Sequence, residues 1–491
     1  MIRAFLLLAL LAPGDSLSMG HEDAKPRSRT DPSSWLRGFV AHPGDSPMMG
    51  GRPDRNPVAD EKNLPVEWKE DGSPVLKWAA ALGDQTYGTP VISGGRVFIG
   101  TNNGAPRDPA VKGDKGVLMC FLEGNGRFLW QAVHDKLPGG TKDDWPQTGI
   151  CSSPCVVGDR VYYVSNRAEL VCADAQGFAD RENDGPFADE TRKELKDADF
   201  VWILDMRKEL GVLPHQASAS SPLVVGDLVF VLTGHGVDSE TYKVKNPQAP
   251  SFVAVDRATG KVVWKDASPG ANILGGQWGS PAYGEVDGKP QVVFPGGDGV
   301  LYAFEPATGK PLWKFDCTSH EKRDAEGLPE SGNHLVATPV FAGHRVLIPT
   351  GHDTDTVKPG CLRAIDARTG KELWKRSGKD FQSSIATPAV HDGLVYAVDL
   401  SGILHVLDLE TGAPVWTHDF LAVVWASPLV ADGKVYVRTE EGDVVVLAAG
   451  REKKVLAKNS MPDLANGSIV AANGGLYFAG NTKLYALKRK D

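Results

Sequence analysis

The chain has 491 residues, 62 acidic against 53 basic side chains for a formal net charge of −9, 41% hydrophobic residues and 55 glycines. Such a composition excludes a largely disordered, a collagen-like or a coiled-coil chain and leaves ample apolar surface for a core. The acidic balance, with no basic block longer than Lys488-Arg489-Lys490, argues against a nucleic-acid backbone as partner.

In chain order, Met1-Ile2-Arg3 precedes an apolar run from Ala4 to Ala12, and Ser16-Leu17-Ser18 supplies a small-x-small pattern. These features predict a cleaved signal peptide over residues 1–18 and a periplasmic or secreted protein. The apolar run is about half of the ~20 residues needed to cross a bilayer and no later run is longer, so no membrane span is expected. No cysteine follows the run, so a lipid anchor on an amino-terminal cysteine is not expected either. Residues 19–65 are rich in Pro, Gly and charge, and read as a linker or as an arm lying across the rim of the domain that follows.

From residue 66 to 491 the chain repeats. Ser/Thr-Pro recurs at Thr89, Ser153, Ser221, Ser280, Thr338, Thr387 and Ser427, with Ser468-Ile469 as a degenerate eighth, and the shortest spacing is near 40 residues. Each unit alternates apolar and polar residues between Asp-Gly or Gly-rich turns, as in Leu394–Val398 and Lys434–Val437, which predicts short antiparallel strands. A third turn of the form Asp/Glu-x-x-Thr-Gly ends at Gly260, Gly309, Gly370 and Gly412, and a tryptophan follows four residues later in each case. Gly takes the positive φ of that turn, and the Trp stands on a fourth, outermost strand. Trp78 precedes the first Ser/Thr-Pro, whereas the last unit stops at Leu484–Leu487 with three strands. The two ends complete one another, and a closed ring removes exposed sheet edges. The expected fold is therefore all-β: an eight-bladed β-propeller of four-stranded antiparallel blades, closed by the N-terminal strand.

The segment Ala364-Ile365-Asp366-Ala367-Arg368-Thr369-Gly370-Lys371-Glu372-Leu373-Trp374 resembles the tryptophan-docking repeat of the quinoprotein, or pyrroloquinoline-quinone-type, propellers. That family includes catalytic quinoprotein alcohol dehydrogenases and the non-catalytic BamB-like propeller of outer-membrane-protein assembly. The resemblance implies two functions: a binding or assembly module without a cofactor, or a dehydrogenase of alcohols or sugars using pyrroloquinoline quinone and calcium; the rim tryptophans allow a third reading, a carbohydrate-binding propeller.

In such a blade the d-to-a and b-to-c links share one rim. Seven insertions fall there: 132–148, 206–217, 266–277 and 317–334 between blades, and 104–115, 236–250 and 352–360 within them. The binding surface for a protein or small polar ligand is expected on this rim. Amides recur just before strand a, at Gln85, Gln147, Gln216, Gln277, Asn333, Gln382 and Asn466, with Trp145, Trp278 and Trp425 nearby. They would line an uncharged funnel; structurally, they would instead tie blades together. Asn102, Asn103, His235 and His352-Asp353 stand at the ends of b strands, and Asp298 lies in a tight Gly-Gly-Asp-Gly turn. Under the dehydrogenase reading Asp298 would be the catalytic base. Thr233-Gly234-His235 is similar to the metal-binding Thr-Gly-Asn of those enzymes, with His replacing the amide, and their adjacent-cysteine pair is missing. On the opposite rim, Asp180, Glu182 and Asp184 alternate like the start of a calcium loop, but Thr191 stands where the closing Glu belongs. Of the six cysteines, the four between 120 and 172 would permit a disulfide, and neither a zinc knuckle nor a haem-attachment spacing occurs.

Overall fold

The structure is a computed structural model that describes residues 43–69, 73–319, 321–322, 333–352, 358–461, 463–464 and 466–489. The predicted signal peptide and the first part of the arm, residues 19–42, lie outside the described residues. Eight sheets of four antiparallel strands, a to d in order from the axis outward, form the ring, and on blade 7 the short strand Val58–Ala59 adds in parallel to Leu429–Ala431. Blade 1 has its strands at Val91–Ser93, Arg96–Asn102, Lys115–Leu122 and Phe128–Asp135. Blades 2 to 7 follow over 155–205, 223–266, 282–316, 340–382, 389–419 and 429–459. Blade 8 takes Val470–Ala472, Gly475–Ala479 and Lys483–Lys488 from the end of the chain and its outer strand, Leu76–Ala81, from the beginning. Trp78 pairs with Ala486 and Ala80 with Leu484, so the ring closes through the N-terminal strand. Among the described residues no helix is long and apolar enough to cross a membrane.

Two repeated contacts hold the blades to one another. At the axis, the Ser or Thr that opens the inner strand offers its hydroxyl, at six of the eight junctions, to the backbone N–H of the corresponding residue one blade earlier. Thr89, Ser153 and Ser221 donate to the Oγ of Ser153, Ser221 and Ser280 at 3.0, 3.0 and 2.9 Å. Thr387 and Ser427 donate to Ser427 and Ser468 at 2.9 Å each. Proline follows naturally at the start of the innermost strand, where a missing N–H costs nothing and φ is already extended.

At the periphery, the outer-strand tryptophan of one blade donates its indole N–H to the c–d turn of the next. Trp78 reaches the Glu123 carbonyl at 2.8 Å, Trp264 that of Pro306 at 2.8 Å and Trp374 that of Leu409 at 2.9 Å. Trp313 uses a relay: it donates to Gln291 Oε1, and Gln291 Nε2 donates to the Ala367 carbonyl. The turn glycine then lies flat on the indole. A Cβ on Gly309, at φ +69°, would stand 2.6 Å from the Trp264 ring, and one on Gly412 equally close to Trp374. Glycine is thus required twice, for the left-handed backbone and for the approach.

Residues 44–61 circle the other end of the axis. Ile92 and Val156 in blades 1 and 2 donate backbone N–H groups to the carbonyls of Ser46 and Pro47, and Tyr283, Phe341 and Val430 in blades 4, 5 and 7 to those of Pro53, Asp54 and Pro57. Blade 6 joins through Val390, whose N–H donates to Asn56 Oδ1 at 2.8 Å. Arg55 serves blade 3. Fully buried, its guanidinium donates to the carbonyls of Ser221, Pro222, Pro281 and Met49. Burial lowers its pKa to about 10, which leaves it charged at neutral pH. Contacts of Gly44 and Asp45 with the a–b turns at Asn473 and Gly94 place this segment on the rim opposite the seven insertions.

One expectation needs correction. All six cysteines are free thiols, five buried and Cys151 half-buried. Cys120, Cys155 and Cys172 sit in blade strands as small apolar residues, and burial pushes Cys155 up to about 11 and Cys172 to about 12.

Candidate functional site

Among the described residues, several insertion loops are bonded to one another. Asn102 Nδ2 donates to the Gln147 carbonyl at 2.6 Å, and the Trp145 N–H donates to the Gln216 carbonyl. Val237 donates to Gly275, and Leu274 to Gly297, through their backbones. Together these loops surround a funnel of about 530 Å³ on the propeller axis. The floor is the Ser/Thr ring with Met49 of the circling segment at its centre. Around blades 8 to 3 the wall carries Asn466, Gln85, Tyr87, Trp145, Gln147 and Gln216. Around blades 4 to 7 it carries Trp278, Val336, Ile385 and Trp425. The wall is therefore two-sided, carboxamides opposite apolar groups, and no described residue lining it bears a charge.

Of the residues expected to bind a ligand, Gln147, Gln216, Trp278 and Trp425 reach this funnel. Gln147 and Gln216 hold left-handed backbones, φ +62° and +63°, a conformation non-glycine residues seldom adopt. Trp278 is set in place by its indole N–H, which donates to the His215 carbonyl at 3.2 Å, and by the rings of His215 and His334 on either side.

The other five do not line the funnel, and here the expectation of one shared binding surface is corrected. Asn102 is buried, its Oδ1 accepting the Asp84 and Gly104 N–H groups. Asn103 holds the 104–115 insertion through the carbonyls of Val111 and Gly113. His235 is enclosed: Nδ1 accepts the Leu213 N–H, so the proton lies on Nε2, which donates to the Asn246 carbonyl. Burial lowers its pKa. Gln277 spends its amide on the His235 carbonyl and Ser251 Oγ. The Gln382 amide turns back to the Gly378 carbonyl, away from the axis. Of the anticipated amides, Gln277 thus ties the link before blade 4 to blade 3, whereas Gln382 bonds within its own blade.

Asp298 caps its own turn: Oδ1 accepts the Val300 N–H and Oδ2 the Tyr302 hydroxyl at 2.6 Å. Burial pushes its carboxyl up to about 6 against the pull of those bonds. It does not reach the funnel, so the role of base at a funnel-bound quinone has no geometric support. Asp353 lies outside the described residues.

The three carboxylates of the expected calcium loop do not converge. Asp184 pairs with Arg160 at 2.8 Å, Asp180 caps the N–H of Glu182, and among the described residues no three His, Cys, Asp or Glu side chains converge to hold a metal. Pyrroloquinoline quinone, itself a tricarboxylate, needs a cation beside its oxygens and a carboxylate base near its reacting carbon. The described funnel wall offers neither, so these residues do not fit that group.

Sequence reasoning missed Met49 and Arg55 at the axis and the use of the Ser/Thr hydroxyls. A signal existed for the last: a strand opening on proline does not require a hydroxyl before it, yet one precedes it in every unit.

More than half of the chain, residues 212–354 and 358–491, matches a family described as outer membrane protein assembly factor BamB. The chain belongs to that family. This BamB-family propeller is 28% identical over 159 residues to the outer membrane protein assembly factor BamB of Burkholderia pseudomallei, covering 32% of this chain and 37% of that protein. It is also 28% identical over 170 residues to a 1-butanol dehydrogenase (cytochrome c) of Thauera butanivorans, covering 29% of this chain and 25% of that one. The matches thus span well under two thirds of either relative. A europium-containing methanol dehydrogenase shares the fold, with a TM-score of 0.59 at 12% identity over 91% of this chain and 98% of its own.

Proposed function

We propose that this is an exported, non-catalytic binding module that engages its partner through the insertion-bearing rim, as a BamB-like component of protein assembly in the cell envelope. The observation that carries the reading is the funnel wall without charge: uncharged amides, hydroxyls and indoles can hold a ligand, while acid–base or quinone chemistry needs ionisable groups. The cross-bonded loops support it further, because a rim locked before binding loses little entropy when a partner arrives. The rim residues that the dehydrogenase reading would recruit first, Asp298 and His235, are committed to internal bonds.

The test is direct. Purified protein is mixed with pyrroloquinoline quinone and calcium, and bound quinone absorbance and dye reduction are followed with a panel of alcohols and sugars. The module reading expects neither. Stoichiometric quinone binding with turnover that Asp298→Ala abolishes would overturn it in favour of a quinoprotein dehydrogenase.

A further inference from the structure

Gln147 and Gln216 stand six and five residues before the Ser-Pro that opens strand a of blades 2 and 3, and both sit at positive φ. Their backbones are secured on both sides. Gln147 donates its N–H to Asp114 Oδ2 at 2.6 Å and accepts from Asn102 at its carbonyl. Gln216 donates to the Lys142 carbonyl and accepts from the Trp145 N–H. Strain of this kind persists only where surrounding bonds enforce it, and it gathers at binding sites. Its effect here is to present two carboxamides to the funnel, one on each side of Trp145, whose ring is 50% exposed. Trp278 stands beside Gln216, its indole N–H on the His215 carbonyl, and Trp425 of the blade 7 link completes the aromatic lining.

We propose that the funnel is a binding site for a neutral oligosaccharide. The inference rests on the non-catalytic reading of the rim and names the ligand of that same surface. A pyranose ring has a flat C–H face and an edge of hydroxyls, each both donor and acceptor. Indoles receive the face, and a carboxamide, with donor and acceptor side by side, matches two neighbouring hydroxyls. The two-sided wall supplies both kinds of group at once. Lack of charge selects against acidic sugars and nucleotides, which would lose their counter-charges on entry. An extended peptide fits less well. It binds best by adding to a strand edge, and the circling segment already takes inner-strand N–H groups in six blades.

The experiment uses the whole purified protein. Tryptophan fluorescence and calorimetry are recorded with cellohexaose, maltohexaose, xylohexaose and chitohexaose, with oligogalacturonate as an acidic control and a neutral Ser/Thr/Asn-rich decapeptide as the alternative ligand. Saturable binding of at least one neutral glycan, and none of the acidic one, is expected. The decisive variants are Gln147→Gly and Gln216→Gly. Glycine relieves the strained φ, so the unfolding temperature should hold or rise while glycan binding weakens at least tenfold in the double variant. Trp145→Ala should weaken it similarly, and Leu312→Ala, on the exposed outer strand of blade 4, should not. Absence of binding to all four neutral glycans, binding untouched by the glycine variants, or binding of the peptide alone would overturn the proposal. The last result would leave the rim module standing, whereas quinone turnover would remove the module itself.

Discussion

The backbone N–H of Ser468 donates to Thr89 Oγ1 at 3.2 Å, joining two residues 379 positions apart. That bond closes the axial ring at the junction where the chain begins and ends its circuit. The peripheral ring closes at the same junction through Trp78, whose strand belongs to blade 8 and whose indole binds blade 1. Closure is thus made at both radii by side chains far apart in sequence. The stability of the whole ring should depend on them.

Trp78→Ala removes a buried indole, its bond to Glu123 and its contact with Tyr477. A loss of roughly 3–5 kcal/mol is expected from such a truncation. Chemical denaturation would read it, and a loss under 1 kcal/mol would show that the closing strand contributes little.

Gly309 and Gly433 have nearly the same φ, +69° and +66°, but only Gly309 faces an indole; Gly433 has open space around its missing Cβ. Gly433→Ala should cost about 1 kcal/mol, from backbone strain alone. Gly309→Ala should cost a further ~1–3 kcal/mol because Trp264 must move. Equal melting temperatures for the two variants would contradict the docking geometry.

Arg55→Met keeps much of the stem volume and deletes the guanidinium. Four buried carbonyls then lose a charged donor, for an expected loss of about 2–4 kcal/mol. Protease cleavage within residues 44–61 should accelerate before the propeller unfolds. An unchanged digestion rate would mean that Arg55 does not hold this segment.

Asp298 yields a prediction in pH. Its folded carboxyl, raised by burial to about 6, keeps its proton where the unfolded chain, near 3.8, has released it. The resulting stabilisation is fully present below pH 3.8 and fades as pH rises to 6, amounting to about 3 kcal/mol. Asp298→Asn, which still accepts from Tyr302, should flatten the stability profile between pH 4 and 6. Parallel profiles for the two proteins would show the carboxyl to be unperturbed.

The ring, its eight units, the tryptophans of the outer strands and the pairing of Trp78 with the last blade were all legible in the amino-acid order. They arise from local periodicity and from one missing strand at each end, and both survive in a linear string. The common rim of the insertions followed as well, because antiparallel blades leave no other place for b–c and d–a links.

What the string could not show is which rim residues face inward. Gln147 and Gln277 both precede an inner strand and look alike in sequence, yet one lines the funnel and the other is buried between loops. That choice rests on a backbone angle and on hydrogen bonds from other blades, which are set only when distant segments meet. The same holds for Arg55, an ordinary charge in a Pro-rich stretch until carbonyls from blades 3 and 4 surround it. Periodic burial is encoded residue by residue, whereas the direction of a polar side chain is decided by the partners that folding brings to it.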